Sequence, residues 1–341
     1  MPLSTMRLLS LAVVLLLLSS CKNKNGKPDI SGIKVDLKLE RLEPAFFSID
    51  TNNMEQGLTK VHNQFPRFFP FYTEVILGVP GRDAIAVAVL KRIISSYKPI
   101  YDSVKEKYKK LNWLEDELET GFRYVKYYYP NYRIPGIITF IGTFDAPGVV
   151  LTPNYVGIGL QQFAGKNFSA YQNDEIRQMY PEYISRRFDK EFMVPNVMKA
   201  IVDDLYPDTS QSAGLIDQMI EKGKQWYLLD HFLPDTEDSL KTGFTKRQLQ
   251  WCKNNEGNIW GSVMTNTPDI YTLDQERIQN YIGEGPFTGD LPHETSPGNI
   301  GQWIGWQIVN RFAEKNPNLT VQQVLSTPAR KIFQGAKYKP K

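Results

Sequence analysis

The change of texture at Ile134 constrains this chain most. Before it, Leu111, Leu114, Leu118, Phe122, Val125 and Tyr129 step by three and four and stop at Pro130, so they describe one face of a helix. Residues 82–111 also read as helical, with an interruption at Pro99. After Ile134, Gly136–Ile141, Gly148–Leu151 and Tyr155–Leu160 read as three short strands, parted by Asp145-Ala-Pro-Gly and Pro153-Asn154 turns. The chain then reads helical to its end. Pro195 opens one helix to about Leu205. Residues 211–232 carry Leu215, Ile216, Met219, Ile220, Gly223 and Tyr227 on one stripe, and residues 300–312 align Ile300, Ile304, Ile308 and Phe312. Thr245 with Gln248, Thr272 with Gln275 and Thr320 with Gln323 have the capping-box spacing. Thr327-Pro328 opens a last short helix and Gly335 stops it. One earlier stretch, Ile33–Leu42, alternates apolar and charged residues as a half-buried strand does. Helices, a short run of strands and helices again make a helix-dominant α+β fold, a small central sheet flanked by helices.

The N-terminus sets the compartment. Arg7 supplies a positive start, Leu8–Leu18 is apolar but for Ser10, and Leu18-Ser19-Ser20-Cys21 follows. That order describes a secretory signal peptide. The apolar run is shorter than the roughly 20 residues that span a bilayer. Small residues before a cysteine resemble the bacterial lipobox, which implies lipid on the Cys21 thiol, cleavage before Cys21 and acylation of the new amine. Several acyl chains on one residue exceed what stable anchoring needs. The division expected is a signal peptide over 1–20, a lipidated tether over 21–32 and one domain over 33–341. Within that domain a helical part runs to about 133, and the sheet with further helices starts from about 134. The tether is polar, with Gly26 and Pro28. Lys22 follows Cys21 and no acidic run comes after it; in the bacterial lipoproteins that this N-terminus resembles, that absence implies a lipid-anchored place on the outer membrane facing the periplasm.

Removing Arg7 with the signal lowers the formal charge from +3 to +2, close to neutral. The densest basic stretch, Lys105–Lys110, is broken by Glu106 and reads as a solvated helix face, so nucleic-acid binding has no support. The chain has 2 cysteines, and Cys252 is the only one besides the lipidation site, so the domain has no internal disulfide.

Catalytic signatures are scarce. The 3 histidines, His62, His231 and His293, lie far apart in sequence, and two four apart are needed to place a zinc pair on one helix face. His62 and His231 read as structural. His293 and Glu294 sit in a turn-rich loop, Gly289–Gly298, which suits a functional loop and a plain helix connection equally. No nucleophile elbow, phosphate loop or dinucleotide fingerprint occurs, and no motif calls for a cofactor. Cys252 has no histidine nearby in sequence. Tyr124, Tyr127, Tyr128, Tyr129 and Tyr132 suggest a platform, but at helical spacing packing with wet hydroxyls is the better reading.

The lipobox, the helical first half, the stretch Tyr180-Pro-Glu-Tyr-Ile-Ser-Arg-Arg-Phe-Asp189 and the tail from Gly298-Asn-Ile-Gly-Gln-Trp-Ile-Gly-Trp306 to Tyr338 together resemble the gliding-motility lipoprotein GldB family. The resemblance implies a role in surface gliding and in the linked type IX secretion machinery, with no known cofactor. The order of elements more distantly resembles zincin-type metallopeptidases. That likeness makes Tyr155–Leu160 the edge strand above the cleft. It puts Lys199, Ala200 and Asp203 in the slots of first histidine, catalytic glutamate and second histidine, and Glu221 in the slot of the third ligand. The core would then be zincin-like but degenerate. A protonated lysine cannot ligate zinc, and alanine cannot activate water. Lys199 would instead hold Asp203 and Glu221 together as a buried cation, or would be an ordinary surface helix residue.

The expectation is a lipid-anchored, non-catalytic envelope protein, a pseudo-peptidase that supports gliding and secretion by binding other envelope, motility or secretion proteins. The alternatives are a metallopeptidase-like hydrolase built around His293, Glu294 and Glu221, and a peptide- or glycan-binding cleft derived from one.

Overall fold

The computed structural model describes residues 27–340. The signal peptide, Cys21 and the first residues of the tether lie outside them.

Short strands gather into one four-stranded mixed sheet in the order β1-β2-β4-β3. Strands β1 (Leu39–Arg41), β2 (Gly136–Phe140) and β4 (Tyr155–Gly159) run parallel, with Leu39 opposite Ile137 and Gly136 opposite Tyr155. Strand β3 (Val149–Leu151) lies antiparallel to β4 and forms one edge. Tyr155–Leu160 is therefore not the edge strand that the zincin likeness requires. It is interior, because β3 folds back onto its outer side through the Pro153-Asn154 turn. Strand β1 ties the N-terminal part into the sheet. The alternation over Ile33–Lys38 continues past it, but no partner strand extends that far, so pairing stops at Leu39.

Helices make up 57% of the structure, which settles their dominance. On the N-terminal side, α1 (Glu43–Phe47), α2 (Met54–Gln64), α3 (Ala84–Lys107) and α4 (Asn112–Tyr128) share one hydrophobic core with the sheet. Asp83 caps α3 by accepting from the Ala86 amide at 2.8 Å. Pro99 lies inside α3 and does not interrupt it. It sits on the exposed face of the helix.

On the C-terminal side the core is built by α5 (Met193–Leu205), α6 (Leu215–Phe232), α7 (Lys246–Asn254), α8 (Gln275–Ile282), α9 (Ile300–Lys315) and α10 (Ala329–Ala336). Helices α6 and α9 pack more extensively than any other pair of elements. The capping boxes at Thr245 and Thr320 form, but the one at Thr272 does not. Asp274 caps α8 instead, accepting from the amides of Glu276 and Arg277. Gly335 lies within α10, and Lys337 in the left-handed region (φ 46°) ends it.

Candidate functional site

The positions that the zincin likeness singles out fall on the seam between α5 and α6. Apolar residues of α5 at 194, 197, 198, 201 and 202 are buried, so Lys199, Ala200 and Asp203 lie along the border of the packed face. Helix α6 runs back along α5. It brings Glu221, Lys224 and Gln225 to the end of α5 and to Tyr206, the residue after it.

Each carboxylate oxygen of Glu221 accepts one hydrogen bond. Lys224 Nζ donates to Oε1 at 2.7 Å and Tyr206 OH donates to Oε2 at 2.5 Å. Lys224 also donates to the Tyr206 hydroxyl at 3.2 Å, and that hydroxyl lies 3.2 Å from the Leu325 carbonyl oxygen. Lys224 is 2% exposed and the Glu221 side chain 22%, so the cation is buried and its partner half-buried, three residues apart on the helix. Burial and the Glu221 hydrogen bond push the Tyr206 hydroxyl well above its ordinary pKa, so it stays a donor. Gln225 Nε2 donates to Asp203 Oδ1 at 3.0 Å and to the Tyr206 carbonyl at 3.2 Å. Burial raises the Asp203 carboxyl, and the charges of Lys222 and Lys199 oppose that rise. Lys222 itself pairs with Asp208 at 2.8 Å.

Lys199 does not hold the two acids together. Among the described residues it makes no ion pair and no hydrogen bond. The surrounding charges that act on it are Arg187, Glu284 and Asp203. Desolvation, reinforced by Arg187, lowers its ammonium to about 8. Arg187 and Asn299 both hold Glu284, at 3.0 and 3.1 Å. The cation beside Glu221 is Lys224. Its place three residues after Glu221 is visible in the sequence, but its burial is not, because burial is set by segments far off in the chain, such as the helix that carries Leu325.

His293 and Glu294 are exposed on the far side of a pinned loop. Asp290 fixes that loop, accepting from Arg277 (2.7 Å), Asn280 (3.1 Å) and Tyr281 (2.7 Å). The His293 ring stacks on Phe287 with centroids 3.7 Å apart and planes at 13°. His62 contacts Arg82 at 3.0 Å. His231 is held by the Tyr227 carbonyl at 2.7 Å and packs edge-on to Tyr128. Among the described residues no group of three or more His, Cys, Asp or Glu side chains is placed to hold a metal ion. Cys252 is buried, with its thiol pushed up to about 12 by desolvation.

The tyrosine run is packing. Tyr128 and Tyr129 lie against Phe232, and Tyr132 donates to Asp204 at 3.0 Å. The sequence gives no hint of Glu43. It is 1% exposed and joins β1 to β2 by accepting from Arg41 at 2.7 Å and Thr139 at 2.8 Å. A surface feature was also hidden. Val75 (65% exposed) and Ile85 (74%) flank the Gly78–Arg82 turn. Beside that turn is a cavity of about 320 Å3, lined by Leu58, Phe69, Val87 and Leu90 with His62 and Arg82 at its polar side.

The family model described as gliding motility protein GldB matches residues 23–340. No curated protein and no solved structure matches the chain.

Proposed function

The chain belongs to the GldB gliding-motility family, and from that premise we propose that it is a lipid-anchored envelope protein that supports gliding and the linked type IX secretion machinery by binding other proteins, without catalysis. The observation that carries the non-catalytic part is the state of Glu221. A metal ligand or general base needs a free lone pair directed at its target. Here both oxygens are engaged inside the protein by Lys224 and Tyr206. The seam stabilises the α5–α6 packing, with the Glu221 carboxylate directed at Lys224 and Tyr206.

Anchoring rests on Cys21, which carries the lipid in this reading and holds the domain at the outer membrane, facing the periplasm. None of the described helices is long and apolar enough to cross a membrane. The contact surface is the turn at Gly78–Arg82. Val75 and Ile85 expose apolar side chains on either side of it, next to a cavity lined by both apolar and polar residues. Exposed aliphatic residues beside a concave site are the anatomy of a protein-binding patch. Crosslinking and pull-down from cells that retain the anchor test this. Motility or secretion components should co-purify with the native chain and be lost with Val75→Glu/Ile85→Glu. An unchanged set of partners in the double variant would refute the patch.

A further inference from the structure

A groove of about 700 Å3 lies between α4, the start of α5 and the turn after α6. Trp113, Pro234 and Leu240 line it and stay half-buried. Five exposed carboxylates also line it, Asp116, Glu117, Glu191, Asp235 and Glu237, against one lysine, Lys190. Glu237 pairs with Lys246 at 2.8 Å and Asp235 with Lys27. Among the described residues, five carboxylates against three ammonium groups leave two negative charges uncompensated. Desolvation raises the Glu117 carboxyl; Lys190 opposes that rise and Glu191 adds to it. Glu117 and Glu191 therefore repel one another, and a further cation would relieve that repulsion.

Two ammonium groups already sit in this setting, each in a different way. Lys27 lies 208 residues from Asp235 in sequence, on a segment with no helix or strand over 27–38, and pairs with that lining carboxylate. Lys190 lies over the Trp113 ring at 5.8 Å, held by the aromatic face. The groove thus takes lysine side chains both by charge and by its apolar lining.

We propose that this groove docks a basic segment of another protein, with lysine or arginine side chains on Asp116, Glu117 and Glu191 and an aliphatic side chain against Trp113, Pro234 and Leu240. Charge complementarity selects the occupant. Carboxylates repel an acidic segment, and a neutral polar one brings them no counter-charge. A segment with cations alone would leave the apolar lining uncovered. Opposite charge speeds the encounter, and the aliphatic contact slows release. The inference deepens the protein-binding reading of the chain. It adds a surface separate from the Gly78–Arg82 turn, since the groove shares no lining residue with the cavity beside that turn.

The probe is a short fluorescent peptide of alternating lysine and leucine, titrated into the full-length chain in non-ionic detergent and read by anisotropy. Saturable binding is expected. It should weaken about tenfold in Glu117→Gln/Glu191→Gln, whose side chains are exposed and keep their shape. A peptide with serine for leucine should bind about tenfold more weakly, and one with glutamate for lysine should not bind. Val75→Glu/Ile85→Glu should bind the peptide as the native chain does, so failure of the turn as a contact surface would leave this result standing. A zero-length carbodiimide should link peptide lysines to Asp116, Glu117 or Glu191. Equal affinity in Glu117→Gln/Glu191→Gln, equal affinity for the serine peptide, or links only to other faces would overturn the proposal. So would links from lysines preceding Lys27 to those acids that persist at saturating peptide, since the chain would then fill the groove itself.

Discussion

Gly223 of α6 and Gly305 of α9 meet backbone to backbone. A β-carbon on Gly305 would lie 1.7 Å from the Met219 carbonyl oxygen, and one on Gly223 would lie 2.1 Å from the Gly305 carbonyl carbon. Those atoms belong to rigid helices, so the neighbours cannot yield. Gly305→Ala gains about 1 kcal/mol of helix propensity but forces the central helix pair apart, an overpacking that costs about 3 kcal/mol or more. The unfolding free energy should fall by a net of about 2 kcal/mol, read as a lower urea midpoint with the slope unchanged. A stabilised Gly305→Ala protein would contradict this crossing.

Lys224 and Lys199 should separate cleanly. Lys224→Met leaves the Glu221 carboxylate with Tyr206 alone, and breaking a buried pair in this way costs about 3 kcal/mol. Replacing both partners, as in Glu221→Gln/Lys224→Met, should return stability to within about 1 kcal/mol of the native chain. Lys199→Ala removes no ion pair or hydrogen bond among the described residues and should shift stability by less than about 1 kcal/mol. Equal losses for Lys199→Ala and Lys224→Met in chemical denaturation would show that the seam is misassigned.

Much of this arrangement was legible beforehand, and the misses have physical causes. The stripe on 111–129 became α4 almost residue for residue, because one-sided burial leaves a strong 3.6-residue period. The three strands were visible as short β-branched runs between turns. Their order was not, because pairing across a sheet is set by contacts far apart in sequence, and so Tyr155–Leu160 passed for an edge. Thr272 and Asp274 both offer an oxygen near the start of α8, and only backbone geometry chose Asp274. Glu221 was found by position. Lys224 was overlooked because a lysine in a helix is normally read as solvated.

His231 should make the fold acid-sensitive. Burial lowers its pKa, while the Tyr227 carbonyl and Asp230 oppose the shift. The folded state thus binds this proton less readily than the unfolded chain, whose histidine titrates near about 6.5. The contribution of neutral His231 is complete above that pH and is lost as the pH falls from it toward the lower folded value. His231→Gln should flatten the decline in stability between about pH 7 and 5. An unaltered pH profile in the variant would assign the acid sensitivity to other groups.

Cys21→Ser should release the domain from the membrane fraction or leave the precursor uncleaved, and gliding should stop in either case. Fractionation with immunoblotting beside a gliding assay reads both. Normal gliding by a soluble variant would make anchoring incidental.

In the proposed function Glu221 serves the fold and not a reaction. The most direct measurement is gliding in cells whose only copy carries Glu221→Gln/Lys224→Met, with abundance and unfolding midpoint checked in the same strain. Gliding at the native rate is the predicted result. Loss of gliding at native abundance and stability would mean that the Glu221 carboxylate does chemistry, and the non-catalytic reading would fall.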